Sequence, residues 1–495
     1  MFAGSFDLEA VEAVTTDDEI GVDEVFELLA GLIDKSVVLR EGAGAQARYR
    51  LLETIRAYGR ERLSTQGRTD IFRRQHRDYY QRIAEDSERD WFGSDQVDWR
   101  HRLENERANL WAALEYCLST PAEHAAGLRM AGALCYYWNA YGHLQDGRYW
   151  LGRALAADTR TSADRAKALW VNGWDAMTQG DNSSAMGCFD EGLAIAETLG
   201  DDTARAFVRQ FRGSAEQFAG NLQVAEPLLR QAVEAHRQSG LVNSLTVLGT
   251  AQLGFVSCLL NRPERAVELC AECRTVSEHA GEQWAHSWAT WVLGLARWTQ
   301  GKYRDAGVAL RDSLRAKQVL NDRLGISACA ELLAWVAVEE DQPAHGAQLF
   351  GASRTLWASI GTPLFGSAAM LETREQYEDK ARRILGPKAY DQDYQYGQRL
   401  KAAEAIELAR GAHPARAGGS SATEQASLTR RQREVAELIA QGLTNKEIAD
   451  KLVISQRTAE GHVEQVLVKM GFRSRTQVAA WLARQEGIDQ GSRTN

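Results

Sequence analysis

Basic and amide side chains gather near the C-terminal end of this 495-residue chain. Residues 428–485 contain ten Lys and Arg against six Asp and Glu, a net charge of +4, so the −9 of the whole chain leaves −13 on the rest. A basic end on an acidic body is typical of a protein whose end alone binds nucleic acid. Six side chains are predicted to contact phosphate. They are Asn445, Lys446, Arg457, Lys469, Arg473 and Arg475.

A second group of polar residues lies around Arg457 at the helical period and is predicted to read base edges. Its members are Gln456, Glu460, Gly461, Glu464 and Gln465. Phosphate repels the carboxylates of Glu460 and Glu464, although Glu can accept a hydrogen bond from a cytosine amine. We therefore expect base readout together with a lowered non-specific affinity for DNA.

Four short helices are predicted to hold these side chains. Three of them begin with the S/T-x-x-E/Q spacing of a capping box, in which a side chain at each end satisfies an orphan helix amide. The pairs are Thr429 with Gln432, Thr444 with Glu447, and Ser474 with Gln477.

The second and third helices are separated only by residues 453–455, a connection short enough for a tight helix-turn-helix with Ser455 as the cap of the third helix. Apolar residues at the helical period predict the buried face of that third helix. They are Ala459, Val463, Val466, Leu467 and Met470. A helix that buries one side and exposes polar side chains on the other has the geometry that enters a major groove.

This segment resembles the LuxR-type (NarL/FixJ-like) C-terminal DNA-binding domain. The resemblance is carried by Leu428, Thr429, Glu434, Val435, Gly442, Asn445, Lys446, Ile448, Ala449, Leu452, Ser455, Thr458, His462, Val463, Lys469, Arg475 and Thr476. It implies that the third helix reads duplex DNA. Several members of that family carry a basic residue where this chain has Glu460 and Glu464, which is a departure from the pattern.

The same resemblance implies that the last helix, residues 475–484, forms a homodimer on DNA through Val478, Trp481 and Leu482. A two-fold dimer would place two recognition helices about one DNA turn apart. The alternative for Trp481 is packing into the core of its own domain.

Residues 1–66 have the pattern of two helices, a hairpin and a third helix. The helical runs include residues 23–33 and 53–63, and the β-prone runs are residues 36–39 and 48–51. The phrases FDLEA, LLAGLIDKSVV and YRLLETIRAYGRERL resemble the winged-helix subdomain that follows the nucleotide-binding domain in STAND-type regulatory ATPases. That resemblance implies a structural coupling module without DNA contact.

No G-x-x-x-x-G-K-[ST] loop occurs in the sequence, so phosphate-loop chemistry cannot be assigned to it. Two interpretations stay open: a natural short form that has lost nucleotide control, or a fragment of a larger NTP-dependent LuxR-type regulator. No catalytic set with a defensible spacing is found, and we predict no enzyme activity, no cofactor and no metal.

Residues 67–410 are helical in pattern and contain a recurring phrase, a turn followed by a helix with a small residue near its start. The small residues Ala185, Ala225, Ala266, Ala306 and Gly346 lie 40, 41, 40 and 40 residues apart. The phrase resembles tetratricopeptide repeats with a period longer than the usual one of about 34. We predict a solenoid of helix pairs that serves as an interaction platform for a protein or small-molecule effector.

Four tryptophans lie on one face of a predicted helix in this region, Trp284, Trp288, Trp291 and Trp298, with Trp335 in the next repeat. Such a stripe usually forms repeat core, which is the interpretation we prefer. The alternative is an aromatic effector pocket.

The composition fits an ordinary globular protein, with 44% apolar and 25% charged residues. No run of about 18 apolar residues predicts a membrane span, and the acidic start is not a secretory signal. The seven cysteines are scattered, and the lone C-x-x-C at Cys270 and Cys273 has no second pair. We therefore expect a cytoplasmic protein with reduced, mostly buried thiols.

The predicted fold is mainly α. The predicted domains are a winged-helix-like module (1–66), a TPR-like repeat domain (67–410), a flexible linker (411–427) and a four-helix DNA-binding domain (428–490). The predicted function is a bacterial transcriptional regulator whose repeat domain governs access of the C-terminal domain to promoter DNA. The alternative from another class is a protein-interaction scaffold with weakened DNA binding.

Overall fold

The computed structural model describes residues 1–41, 47–358, 360, 363–411, 430–452, 454–470 and 478. The chain divides into two compact units, Met1–Pro414 and Ala415–Asn495. Within the described ranges, no helix is both long and apolar enough to cross a membrane. The predicted linker falls almost wholly on residues 412–429, outside the described residues.

The first unit begins with the predicted helix, helix, hairpin, helix. Its elements are α1 (Leu8–Thr15), α2 (Val22–Asp34), β1 (Val38–Glu41), β2 (Arg48–Leu51) and α3 (Glu53–Thr65). The strands are antiparallel with Val38 opposite Leu51. Asp7 caps α1 because its carboxylate accepts the N–H of Ala10 at 2.8 Å. This is the winged-helix arrangement that the sequence predicts.

Helices fill the rest of the first unit. They are α4 (Thr69–Arg89), α5 (Gln96–Ser119), α6 (His124–Ala133), α7 (Cys135–Asn139), α8 (Leu144–Ala157), α9 (Ala163–Thr178), α10 (Asn182–Leu199), α11 (Asp202–Phe218), α12 (Leu222–Ser239), α13 (Ser244–Leu259), α14 (Pro263–Ala280), α15 (Trp284–Thr299), α16 (Tyr303–Leu320), α17 (Arg323–Glu339), α18 (Pro343–Ala358), α19 (Ala368–Leu385), α20 (Pro387–Arg399) and α21 (Ala402–Ala409). Two short 3₁₀ turns, Pro121–Glu123 and Pro363–Gly366, interrupt the series. The solenoid of helix pairs is confirmed.

Residues with a left-handed backbone conformation recur at fixed intervals and form the turns of the repeats. The turn within each pair lies at Gly180, Gly220, Asn261, Gly301 and Asp341, with φ between 56° and 85°. A second series ends the second helix of each pair at Gly200, Gly240, Gly281 and Asn321, with φ between 55° and 73°. Gly and Asn tolerate this conformation best and therefore end helices there. The recurring phrase in the sequence predicts the first series of turns but not the second.

The predicted small residues lie where the helices of a pair approach most closely. Ala185, Ala225, Ala266 and Ala306 are fully buried. At Gly346 an added Cβ would lie only 2.7 Å from Cγ2 of Val338, so only glycine fits at this crossing. The period therefore reflects close helix packing.

The second unit contains α22 (Arg430–Ala440), α23 (Asn445–Leu452) and α24 (Gln456–Met470). Its apolar core consists of Val435, Ala436, Leu438, Ile439, Ile448, Ala449, Ala459, Val463, Val466 and Val478. Each helix contributes to this core, which explains why so short a segment holds its helices in a fixed arrangement.

The cysteine prediction is confirmed for burial. Six of the seven thiols are buried and Cys188 is half-buried. Burial raises the pKa of Cys270 and of Cys273 above the usual thiol range. A thiolate is therefore disfavoured at the C-x-x-C, and thiolate is the form that binds metal or exchanges disulfides.

Candidate nucleic-acid interface

The turn between α23 and α24 is built as the sequence predicts. The Ser455 hydroxyl accepts the backbone N–H of Thr458 at 3.1 Å and shares a hydrogen bond with the Thr458 hydroxyl at 2.7 Å. Ser455 thus satisfies an orphan amide in the first turn of α24 and fixes where that helix begins.

A reciprocal capping box holds the start of α23. The Thr444 N–H donates to Oε2 of Glu447 at 2.7 Å, and the Glu447 N–H donates to the Thr444 hydroxyl at 3.4 Å. The backbone N–H and hydroxyl of Thr444 lower the pKa of Glu447, which keeps this carboxylate charged at the positive end of the helix. The other two predicted capping boxes include residues outside the described part of the chain.

The α24 helix buries one side and exposes the other. Ala459, Val463 and Val466 are buried, as predicted, whereas the side chains of Leu467 and Met470 lie outside what the structure describes. On the opposite side, Gln456, Arg457, Glu460 and Gln465 are exposed, and Gly461 and His462 are half-buried. A polar, solvent-facing side on the second helix of a helix-turn-helix is the surface that meets base edges.

One hydrogen bond crosses this exposed face. Gln456 donates from Nε2 to Oε1 of Glu460 at 3.1 Å. The bond joins two residues predicted to read bases, one turn apart on α24. The bond orders both side chains on the exposed face and occupies only one of the acceptor positions of the Glu460 carboxylate.

The predicted phosphate-binding residues Asn445, Lys446 and Arg457 lie in the first turns of the two helices that form the motif. Lys446 and Arg457 are exposed. Asn445 is half-buried, and its Oδ1 is enclosed without a hydrogen-bond partner among the described residues. Because a phosphate oxygen accepts hydrogen bonds, a contact by the Asn445 side chain must use its N–H₂ group. Lys451 is an exposed basic residue at the end of α23 that the sequence analysis did not assign.

Several predicted site residues lie outside the described part of the chain. These are Arg473, Arg475, Trp481 and Leu482, together with the side chains of Lys469 and Glu464. Val478 is described and is fully buried in the core of the second unit. Because a fully buried side chain has no surface to offer, we now assign Val478 to the core instead of to a dimer face.

Comparison with known proteins bears on this geometry. Residues 426–482 match the family described as bacterial regulatory proteins, luxR family, and residues 1–64 match a winged helix-turn-helix domain. A candidate HTH-type transcriptional regulator of Mycobacterium tuberculosis strain H37Rv, Rv0890c, is 25% identical over 649 aligned residues, which cover 98% of this chain and 72% of the relative. The C-terminal part of this chain is thus a LuxR-type helix-turn-helix domain, and the chain as a whole is similar to this transcriptional regulator.

The C-terminal domain is also similar to that of a response regulator. The nitrate/nitrite response regulator NarL of Escherichia coli K12 is 47% identical over 55 residues, 11% of this chain and 26% of NarL. Among solved structures, a Rap protein complexed with competence and sporulation factor superposes with a TM-score of 0.43 and 11% identity, covering 64% of this chain and 96% of that chain.

Proposed function

We propose that α24 enters the major groove of promoter DNA and reads it through Gln456, Glu460, Gly461, Glu464 and Gln465. Phosphate contacts come from Asn445, Lys446, Arg457, Lys469, Arg473 and Arg475. Two copies bind as a homodimer on DNA, with Trp481 and Leu482 at the dimer contact. The protein acts in the bacterial cytoplasm, where its repeat domain receives a protein or small-molecule effector that controls DNA binding.

The observation that carries this proposal is the division of α24 into two sides. Its apolar side is fixed to α22 and α23 by a buried core, and Ser455 fixes its first turn. Its other side presents an amide, a guanidinium and a carboxylate to solvent at Gln456, Arg457 and Glu460. Among the described residues of the unit, these three side chains are exposed and do not belong to its core, which supports a role in recognition.

Arg457→Ala in the full chain tests the phosphate contacts. We expect a uniform loss of affinity on all duplex sequences and a log–log salt slope that falls by about one per protomer. Fluorescence anisotropy with labelled duplex DNA at several salt concentrations measures both quantities. The matched control is Arg265→Ala, which removes an exposed arginine of α14. Equal behaviour of the two variants, or parent binding that salt does not weaken, contradicts the proposal.

The Gln456 to Glu460 hydrogen bond favours a second candidate function, an interaction scaffold whose DNA domain is weakened by its acidic face. Replacing Glu460 and Glu464 together by Lys distinguishes the two. Under the first proposal the double variant binds non-specific DNA more tightly and loses sequence preference, because it gains phosphate attraction and loses carboxylate readout. Under the scaffold proposal the parent shows no binding and only the double variant does.

A further inference from the structure

The repeat domain contains a partly enclosed aromatic chamber. The tryptophan stripe of α15 forms one wall with Trp284, Trp288 and Trp291, and Trp174 and Phe255 come from α9 and α13. Every lining residue is buried or nearly so except Gln252 and the cavity between them measures about 70 Å³. Protein interiors rarely leave a void of this size among large side chains. Trp284, Trp288 and Trp291 are therefore core residues that also line a cavity, whereas Trp298 and Trp335 do not line it.

Two residues that line the chamber carry buried hydrogen-bond donors. The indole N–H groups of Trp284 and Trp291 are buried, and neither has a hydrogen-bond partner among the described residues. These side chains are 2% and 1% exposed. A buried indole N–H normally finds an acceptor, and an exception needs an explanation. A ligand that brings an acceptor to the chamber supplies one.

Phe365 lies at the edge of this chamber. Its ring stacks on Phe218 with centroids 5.0 Å apart and lies 6.2 Å from the ring of Trp288. It belongs to the short turn Pro363–Gly366, in which Leu364 and Phe365 have left-handed φ of 50° and 60°. Large non-glycine residues adopt this conformation rarely, and only when their surroundings hold them there. The aromatic contacts of Phe365 provide that hold.

The chamber is also electrically neutral. Lys317 lies beside it, with Nζ 3.4 Å from the centroid of Trp288, but the same Nζ pairs with Oδ2 of Asp322 at 3.1 Å. Of the polar lining residues, Asn139 is engaged with Asp175 at 3.3 Å and with Thr178 at 3.4 Å. The site therefore offers ring faces and two N–H donors, with no free charge for an ionic ligand.

We propose that the chamber binds a small, neutral, planar aromatic molecule that carries a hydrogen-bond acceptor, and that Phe365 occupies part of this site in its absence. The chemistry follows from the walls, which stack on rings, and from the Trp284 and Trp291 donors, which require an acceptor. The Phe365 ring fills apolar space but has no acceptor, so it leaves those donors unpaired. This inference names the effector class and therefore rests on the proposed function.

Calorimetric titration of the full chain with quinoline and with naphthalene tests the proposal, because the two probes share a shape and differ by one ring nitrogen. Because the cavity of about 70 Å³ is smaller than either probe, both must displace the Phe365 ring in order to bind. We expect saturable binding of both, with quinoline tighter by about fivefold, the effect of one net hydrogen bond. Phe365→Ala should tighten both by removing the internal competitor. Adding Trp284→Phe and Trp291→Phe should abolish the quinoline preference while naphthalene still binds.

Phe189→Ala is the matched control, since it opens a cavity of similar size at a fully buried phenylalanine of α10 that does not line the chamber. Equal binding of the two probes, or equal tightening by Phe189→Ala, would overturn the proposal. So would stronger binding of N-acetylphenylalaninamide than of quinoline, which would favour a peptide. The parent protein must also bind quinoline more tightly than naphthalene. This comparison tests the proposal even if one of the variants fails to fold. The affinity of the parent protein for DNA is measured separately, and it tests the proposed function without testing the ligand of the chamber.

Discussion

Several single residues of the repeat domain have buried polar side chains whose protonation state affects the stability of the fold. His236 is 4% exposed, its Nε2 lies 2.9 Å from Oε1 of Gln210, and its ring packs beside Phe207. Desolvation lowers its pKa to about 4. Because the folded-state pKa is below that of the unfolded chain, neutral His236 contributes stability that is present above about pH 6.5 and is lost as pH falls toward about 4.

We predict that His236→Gln reduces the pH dependence of folding. The free energy of unfolding of the parent should fall relative to that of the variant by about 2 kcal/mol between about pH 7.5 and pH 5. Urea denaturation at several pH values, followed by circular dichroism, measures this difference. The control is His279→Gln, at an exposed position near the end of α14, which should leave the pH profile of the parent unchanged. Parallel profiles for parent and His236→Gln would refute the assignment.

Lys317 is a second residue whose charge is enclosed. It is completely buried, and its ammonium donates to Oδ2 of Asp322 and to the hydroxyl of Ser287, each at 3.1 Å. Lys317→Met should lower the free energy of unfolding by about 3 to 5 kcal/mol, because it leaves the Asp322 carboxylate buried without a counter-charge. Adding Asp322→Asn should restore much of that loss, since Asn can still accept the N–H of Gly325 at the start of α17.

Urea denaturation of the two variants beside the parent gives this comparison. Lys302→Met, at an exposed position before α16, controls for the loss of a positive charge and should have an effect below about 0.5 kcal/mol. A double variant no more stable than Lys317→Met alone would show that the carboxylate is not the source of the loss.

At the scale of elements, helix pairs meet where side chains are smallest. The α18 and α20 helices cross at Gly351 and Gly397, where an added Cβ would overlap the backbone oxygens of Tyr394 and Gln348. Gly397→Ala should therefore lower the free energy of unfolding by about 3 kcal/mol or more, because backbone cannot move aside as a side chain can. Gly187→Ala, in the exposed face of α10 with open space around it, should instead raise it by about 0.5 to 1 kcal/mol. Equal effects in urea denaturation would contradict the close crossing.

The elements themselves were largely predictable from sequence. The turns at Gly180, Gly220 and Gly301 follow from glycine at a 40-residue interval, and the hairpin at β1 and β2 follows from β-prone runs around a glycine-rich stretch. The second series of turns was not predicted from the sequence. A glycine that ends a helix, such as Gly240, does not stand within the recurring polar motif that identified the first series. In the second unit, the caps at Thr444 and Ser455 could be found because capping depends on residues three apart.

At the scale of the whole repeat domain, the sequence does not predict which distant repeats contact one another. Trp284 lies 6.5 Å from Trp91 and 6.2 Å from Trp174, measured between ring centroids. These contacts depend on how far each repeat rotates relative to the last, a quantity that side-chain volumes set collectively. Periodicity therefore places the tryptophan stripe on one face of α15 but cannot say that the face meets α9 or the loop before α5. The chamber is for this reason visible only in three dimensions.

The contact that joins these distant repeats is a hydrogen-bonded cluster around Glu282. Its carboxylate accepts hydrogen bonds from Nε2 of Gln96 and from the Ser244 hydroxyl, each at 2.9 Å. Oε1 of Gln96 accepts the backbone N–H of Trp284 at 3.0 Å. Gln96 and Glu282 are 1% and 3% exposed. The start of α5 is thereby fixed to the start of α15, which positions the tryptophan wall of the chamber.

Gln96→Ala should therefore loosen two helices whose first residues are 188 positions apart in sequence. We expect the free energy of unfolding to fall by about 1 to 3 kcal/mol, because the substitution leaves the buried backbone N–H of Trp284 without its acceptor and removes one of the donors to the Glu282 carboxylate. Hydrogen exchange should accelerate in the first turns of both α5 and α15 and stay unchanged in α12. Gln300→Ala, which removes an exposed bond to Glu264 in the neighbouring helix pair, is the matched control and should accelerate only local exchange. Faster exchange in α5 alone would mean that the cluster does not couple the two repeats, and that the chamber wall is held by the packing of α15 itself.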